Sequence, residues 1–180
     1  MKLENKKIAI FAENGFEESE LFEPLERLKN EGADVRVISS KSGEIQAMKE
    51  KEWSKKIKVD HTYDEISVSD FDAVFIPGGV INPDKMREEE SAIKLIQNFN
   101  EKKMPIASIC HGPQVLINAE VVKGKKMTSY SSVRKDLENA GAQWVDEEVV
   151  VDNGLVTSRN PNDLPAFMDK MVEEFAEGKH

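Results

Sequence analysis

Four short apolar runs divide this chain, and helical patterns separate most of them. The runs are residues 6–12, 33–39, 72–76 and 105–109. After the first run, Leu21, Leu25 and Leu28 recur at helical spacing, and Gly32 follows as a helix terminator. Strands that alternate with helices form parallel sheets, because a parallel connection needs a long crossover. The sequence therefore predicts an open, mostly parallel, doubly wound α/β sheet with helices on both faces.

The remaining segments fit one domain over residues 1–180, with its core at about 6–176. Asn153-Gly154 between two short apolar segments predicts a hairpin. From Pro161 onward, apolar side chains fall on one stripe of a last helix, which is typical of core packing. The charged segment 49–56, which contains Trp53, reads as a solvated surface excursion. The alternation in 57–60 indicates a half-exposed strand.

Charge and composition exclude several classes of function. The net charge is −9, so the surface repels phosphate and nucleic acid is not expected as the main partner. No apolar run approaches membrane-spanning length, and the first residues lack the apolar core of a signal peptide. A single cysteine rules out an internal disulfide and fits a reducing compartment. We therefore expect a cytoplasmic protein without a membrane partner.

The single cysteine, Cys110, lies where the fourth apolar run stops. Gly112 and Pro113 follow at once and open a helix, since proline is well tolerated in a first helical turn. The thiol is thus predicted to sit at the carboxyl end of a strand, beside free helical N–H groups, where a thiolate is favoured. A lone cysteine is more often a buried, inert residue. The abrupt strand end and the flanking His-Gly-Pro favour a nucleophile instead.

Two other turns are expected at the same edge of the sheet, where open α/β proteins bind ligands. Glu17, Glu18 and Glu20 follow the first strand, so at least one carboxylate can reach the thiol. Their alternative role is to interact with the positive end of a helix dipole. Gly79 follows the third run, and its backbone N–H is one predicted oxyanion donor.

His111 supplies the second predicted oxyanion donor through its backbone N–H, and its ring is a candidate general base. Adjacent side chains diverge across a sharp turn, so we expect the ring to point away from Cys110. The alternative is a structural histidine. His61 and His180 are the only other histidines, and no His/Cys cluster has the spacing of a metal site. Neither a metal nor a cofactor is expected.

Several segments together resemble the PfpI-type intracellular protease and deglycase family, within the class I glutamine-amidotransferase-like superfamily. They are residues 16–20, 77–79, 107–114, 147–152, 157–159 and 163–167. The resemblance runs from about Lys6 to about Phe175. It implies a flavodoxin-like fold in which Cys110 is a nucleophile on a strained elbow. It also implies that Glu20 meets the Cys110 sulfur and that Glu17 lies near the pocket.

The resemblance implies a second partner for the nucleophile. His111 would be the second member of a triad that a neighbouring subunit completes with an acid, and the matching acid here is Asp84. Val80 stands where proteolytic members have arginine directly after Pro-Gly-Gly. Asp84 is also shorter by one methylene than the glutamate of those members. Both departures weigh against the protease triad and its hexamer. No histidine lies between His111 and His180, so glutamine hydrolysis is not expected either.

Three functions follow from this resemblance and the reactive thiol. The first is a cysteine hydrolase for deglycase- or glyoxalase-type repair of methylglyoxal and glyoxal damage under stress. The second is an intracellular cysteine peptidase assembled across subunits. The third is a redox-sensing or chaperone-like stress protein that uses an oxidisable Cys110. The partners would be a small aldehyde, a glycated amine or a peptide, and the assembly a homodimer or a higher oligomer.

Overall fold

A seven-stranded sheet runs through the centre of the computed structural model, which describes residues 1–180. The strands are β1 (Lys7–Phe11), β2 (Phe16–Glu17), β3 (Asp34–Ser39), β4 (Gly43–Lys49), β5 (Glu52–Val59), β6 (His61–Thr62), β7 (Ala73–Ile76), β8 (Ile106–Ile109), β9 (Lys126–Met127), β10 (Gln143–Trp144), β11 (Val150–Asp152) and β12 (Leu155–Ser158). The helices are α1 (Glu18–Asn30), α2 (Ile81–Met86), α3 (Glu90–Glu101), α4 (Pro113–Asn118), α5 (Arg134–Asn139) and α6 (Leu164–Glu177).

The strand order of the central sheet is β11-β12-β8-β7-β1-β3-β6. All neighbours pair in parallel except β11 and β12, which form the antiparallel hairpin predicted at Asn153-Gly154. From β1 the chain first moves to β3 on one side and then crosses to β7 on the other. The carboxyl ends of β1 and β7 therefore flank a topological switch point, where such sheets bind ligands. The predicted open, mostly parallel sheet is confirmed.

Both faces of the sheet are buried, because successive side chains of each strand enter opposite cores. Ile8 and Ile10 of β1 join the core under α1 and α6, whereas Ala9 and Phe11 join the core under α3, α4 and α5. Buried strands of this kind appear in the sequence as continuous apolar runs. The predicted placement of helices on both faces is confirmed. None of these helices combines the length and the apolarity that crossing a membrane would require.

The charged segment around Trp53 is largely exposed, as predicted for a solvated surface excursion, and it belongs to a β-hairpin that the sequence did not predict. Strands β4 and β5 pair in antiparallel fashion, and β4 also pairs with β2. Ile45 and Ala47 of β4 are buried in the core that α1 covers, while Trp53 of β5 is 53% exposed. Glu50 and Lys51 form the turn with positive φ angles of 51° and 69°. Two-residue hairpin turns with positive φ angles usually carry Asn-Gly, so Glu50-Lys51 offered no turn signal in the sequence.

Candidate active site

Cys110 sits on a strained turn between β8 and α4. Its φ angle is +62°, in the left-handed region that costs a non-glycine residue about 1–3 kcal/mol. Two backbone hydrogen bonds hold this conformation: the Cys110 N–H donates to Ser158 O (3.1 Å), and its carbonyl accepts from Tyr130 N (2.9 Å). The neighbouring strand end and the loop after β9 therefore fix the elbow from both sides.

Gly78 lets the first and third turns close on this elbow. A Cβ atom at Gly78 would lie 2.5 Å from Glu20 Oε1 and 2.6 Å from Cys110 Cβ, so no side chain fits there. Three consecutive parallel strands, β1, β7 and β8, thus deliver Glu20, the glycine turn and Cys110 to one point. The structure brings these groups together as the sequence predicted.

Glu20 is fully buried in the first turn of α1. Its Oε1 accepts a hydrogen bond from Gly78 N (3.0 Å). Burial, reinforced by the negative charge of Glu17, raises the pKa of Glu20 to about 8, although bonding to Cys110 and to the two glycine amides opposes the shift. Oε2 is buried and has no hydrogen-bond partner within the chain. The carboxyl group and the Cys110 thiol are close enough for each to shift the pKa of the other. At neutral pH Glu20 is therefore a protonated acid beside the sulfur.

Cys110 is 7% exposed. We expected surroundings that favour a thiolate, but the surroundings in the structure favour the neutral thiol. Burial raises the pKa of the Cys110 thiol, and the negative charge of an ionised Glu20 raises it further. The backbone N–H groups of Gly79 and His111 donate toward the sulfur and oppose this shift. The stabilisation expected from the helix is small, because α4 has six residues and begins with a proline that has no N–H. At neutral pH the pair is a thiol beside a carboxylic acid.

The His111 ring points toward the sulfur, so the predicted divergence of the two side chains was wrong. Nδ1 lies 3.3 Å from Cys110 Sγ, and Nε2 lies 3.4 Å from Ser132 Oγ. The ring stacks on Tyr130, with centroids 4.6 Å apart. Burial lowers the pKa of His111, so the imidazole is neutral at neutral pH. A neutral ring within reach of the thiol can accept its proton.

Tyr130 and Ser132 were missed in the sequence. They follow the two-residue strand β9. A strand this short leaves no clear apolar run in the sequence, so the turn after it was not predicted to lie at the same edge as Cys110. Their signal was the serine-rich run after Met127, which offers several hydroxyl groups in one turn. These two residues hold the ring in the orientation that sequence adjacency alone would not predict.

Glu17 and Asp84, the two further acids that the resemblance implied for the site, form no hydrogen bond with the sulfur. Glu17 precedes α1 and is half-buried, and burial together with the charges of Glu18 and Glu50 raises the pKa of Glu17. Asp84 is exposed on α2 and forms no hydrogen bond or ion pair within the chain. The chain itself does not bring Asp84 to His111, and its contribution from a neighbouring subunit stays a prediction.

A cavity of about 310 Å³ opens beside the glycine turn. Its walls include Glu17, Met48, Gly79 and Val80, and Val80 is 65% exposed at the rim. Binding sites for small ligands begin at roughly this size, and they combine apolar walls with a few polar groups. Cys110, Glu20 and His111 are not among the residues that line this cavity, so it adjoins the site through Gly79 and does not enclose the sulfur.

One further charged cluster lies at the end of α6, away from this edge. His180 Nε2 is 3.5 Å from a carboxylate oxygen of Glu174 and 3.5 Å from one of Glu177. The sequence analysis did not single out this cluster, although Glu174, Glu177 and His180 follow one another at intervals of three positions.

Comparison with known proteins finds relatives over nearly the whole chain. A sequence profile described as the DJ-1/PfpI family matches residues 6–174. Deglycase PfpI of Pyrococcus furiosus is 43% identical over 167 residues, covering 93% of this chain and 98% of the relative. General stress protein 18 of Bacillus subtilis is 45% identical over 163 residues, covering 90% of this chain and 93% of the relative.

The same likeness extends to three-dimensional structure. The crystal structure of Drosophila melanogaster DJ-1beta superimposes with a TM-score of 0.86 at 31% identity, covering 95% of this chain and 90% of that one. The flavodoxin-like arrangement implied by the sequence is therefore confirmed.

Proposed function

Because the chain belongs to the DJ-1/PfpI family, we propose that it is a cysteine-dependent deglycase that removes methylglyoxal- and glyoxal-type adducts from amines. One observation carries the proposal: the Cys110 sulfur lies 3.3 Å from His111 Nδ1 and meets the buried carboxyl group of Glu20 at the Gly78 turn. The name of the P. furiosus relative supports the activity. The name of the B. subtilis relative supports a role in stress.

The proposed first step exchanges the adduct's amine for the enzyme's sulfur. The Cys110 sulfur bonds to the carbon that carries the adduct's hydroxyl group, and the bond from this carbon to nitrogen breaks. The thiol proton passes through His111 Nδ1 to the departing amine. The product on the enzyme is a hemithioacetal. Its oxygen lies where the backbone N–H groups of Gly79 and His111 can stabilise negative charge.

The second step is an internal redox reaction that needs no oxidant. His111 removes the proton from the sulfur-bearing carbon while Glu20 protonates the neighbouring carbonyl oxygen, and an enediol forms. His111 returns its proton to the second carbon while the hydroxyl proton on the first carbon passes back to Glu20, which leaves a thioester. The first carbon is thereby oxidised and the second reduced. Water then cleaves the thioester and releases a 2-hydroxy acid and the Cys110 thiol. The net reaction is adduct plus water to amine plus 2-hydroxy acid.

The same steps convert free methylglyoxal and water to lactate, which gives a simple test. Purified protein with methylglyoxal is expected to form lactate in proportion to the aldehyde consumed, measured with lactate dehydrogenase. A heat-denatured sample controls for the spontaneous reaction. Consumption of methylglyoxal without lactate would show that the protein is only modified by the aldehyde, and it would contradict the proposal.

Replacing the proposed base tests the alternative of a peptidase triad shared between subunits. His111→Ala is expected to lower kcat for lactate formation by about 10²-fold or more, as loss of a general base does. Asp84→Ala is expected to stay within about twofold, since Ser132 and Tyr130 already orient the ring. If Asp84→Ala costs as much as His111→Ala, a neighbouring subunit supplies the acid and the alternative gains support. Light scattering on both variants checks that the assembly, for which we propose a homodimer, is unchanged.

The redox-sensing alternative receives less support from this geometry. Peroxide reacts with thiolates that are exposed, whereas burial raises the pKa of the Cys110 thiol. We therefore place turnover ahead of sensing, with the cytosol as the proposed setting.

A further inference from the structure

We propose that Asn82 is a positioning residue for the active site, because it locks the Gly78–Gly79 peptide with its N–H directed at the Cys110 sulfur. The inference rests on the proposed role of Cys110 and adds a residue that the resemblance did not supply. Asn82 lies in α2, three positions after Gly79, and forms no hydrogen bond with the sulfur itself. Its effect is therefore on the direction of a backbone donor.

The Asn82 carboxamide is fully buried and uses both its ends. Nδ2 donates to the carbonyl oxygens of Pro77 (2.9 Å) and Gly78 (3.1 Å). Oδ1 accepts from the backbone N–H of Glu13 (2.7 Å), just after β1. One side chain thus ties the end of β1 to the turn after β7, and its amide cannot rotate without losing three hydrogen bonds.

The Gly78 carbonyl and the Gly79 N–H belong to the same planar peptide group, so they point in opposite directions. Asn82 holds the carbonyl from one side, and the backbone N–H of Glu17 adds a longer bond to it (3.4 Å). The N–H on the opposite side then faces Cys110 and Glu20. Fixing the carbonyl therefore fixes the donor.

This peptide is the one most able to rotate, because glycine stands on both sides of it. Gly79 has a φ angle of +83°, and a Cβ there would lie 2.7 Å from Gly15 O. Neither glycine can be replaced by a stiffer residue without a collision. A flip of the peptide would turn a carbonyl oxygen toward the sulfur, where it would oppose negative charge. The lock must come from a third residue, and Asn82 provides it.

The test replaces Asn82 by leucine, which keeps the volume of the side chain and removes its hydrogen bonds. The readout is the rate of Cys110 alkylation by iodoacetamide across pH, since a role in stability alone would not move this profile. Asn82→Leu is expected to raise the alkylation midpoint by about one pH unit. It should also lower kcat for lactate roughly tenfold with KM changed less than about twofold. Asn82→Ser, which can keep one donor, should fall between the two.

The matched control is Asp72→Ala, which removes a side-chain anchor on the opposite end of β1, where Asp72 accepts from Lys7 N (2.8 Å). It should lower the melting temperature and leave the alkylation midpoint in place. An Asn82→Leu midpoint equal to that of wild type, or to that of Asp72→Ala, overturns the inference. If the leucine variant does not fold, the serine variant is judged by the same criteria. Alkylation needs no turnover, so absence of lactate from wild type would reject the proposed function and leave this test intact.

Discussion

Cys110→Ser is expected to abolish lactate formation from methylglyoxal, with a loss of at least about 10³-fold in kcat. A serine hydroxyl has nearly the same size but is far less acidic than a thiol. The His111 imidazole, whose Nδ1 lies 3.3 Å from the sulfur, must therefore take a proton from a group with a much higher pKa. The thioester that the proposed second step requires cannot form either. Residual rate should match that of Cys110→Ala, which removes the nucleophile entirely.

Folding must be intact for this comparison to have meaning. Both substitutions keep a side chain at a φ angle of +62°, so neither relieves nor adds backbone strain. Thermal unfolding curves should therefore be close to that of wild type. A folded Cys110→Ser or Cys110→Ala variant that keeps a tenth of the wild-type kcat would remove Cys110 from the mechanism.

Glu20→Gln is expected to produce the second large effect, on the pH dependence of catalysis. The proposed acid must hold its proton, and burial raises the pKa of Glu20 to about 8. Wild-type kcat should thus fall as pH rises through about 8, and its acidic limb should lie below the usual value for histidine, since burial lowers the pKa of His111. Glutamine keeps the shape but cannot donate a carboxylic proton. We expect a loss of about 10²-fold and no alkaline limb near pH 8.

The same substitution should change how stability depends on pH. The folded pKa of Glu20, about 8, lies above its ordinary value of 4.5, so between these two pH values the folded state holds a proton that the unfolded chain has lost. Stability therefore falls as pH rises through this window and levels off above it. Between pH 6 and pH 9, wild type should lose about 3 kcal/mol that Glu20→Gln does not lose. Urea unfolding of both proteins at pH 6 and pH 9 measures this difference. An equal loss of unfolding free energy in wild type and in Glu20→Gln would contradict it.

The parts of this site that the sequence predicted are those set by strand ends. Cys110, Glu20 and Gly79 each follow a buried run, and parallel strands deliver their carboxyl ends to one edge whatever the loops do. The resemblance added which glutamate meets the sulfur. Neither the strand pattern nor the family resemblance depends on how side chains pack in the folded chain.

The parts that the sequence did not predict depend on packing and on loop conformation. The orientation of His111 follows from stacking on Tyr130, which is 19 positions along the chain and belongs to another turn. The raised pKa of the Cys110 thiol follows from how deeply the elbow is buried, which periodicity does not reveal. The Glu50-Lys51 turn has backbone angles that its residue types rarely adopt. In each case a distant contact outweighed a local preference.

The most direct test of the central claim uses a purified methylglyoxal adduct of a blocked lysine, with aminoguanidine present to trap any free aldehyde. Amine and lactate are quantified together over time. If Cys110 attacks the adduct itself, wild type should release the two products in equal amounts despite the trap, and Cys110→Ala should release neither above the uncatalysed rate. Lactate that disappears when the trap is added, or equal release by wild type and Cys110→Ala, would contradict a cysteine-dependent deglycase.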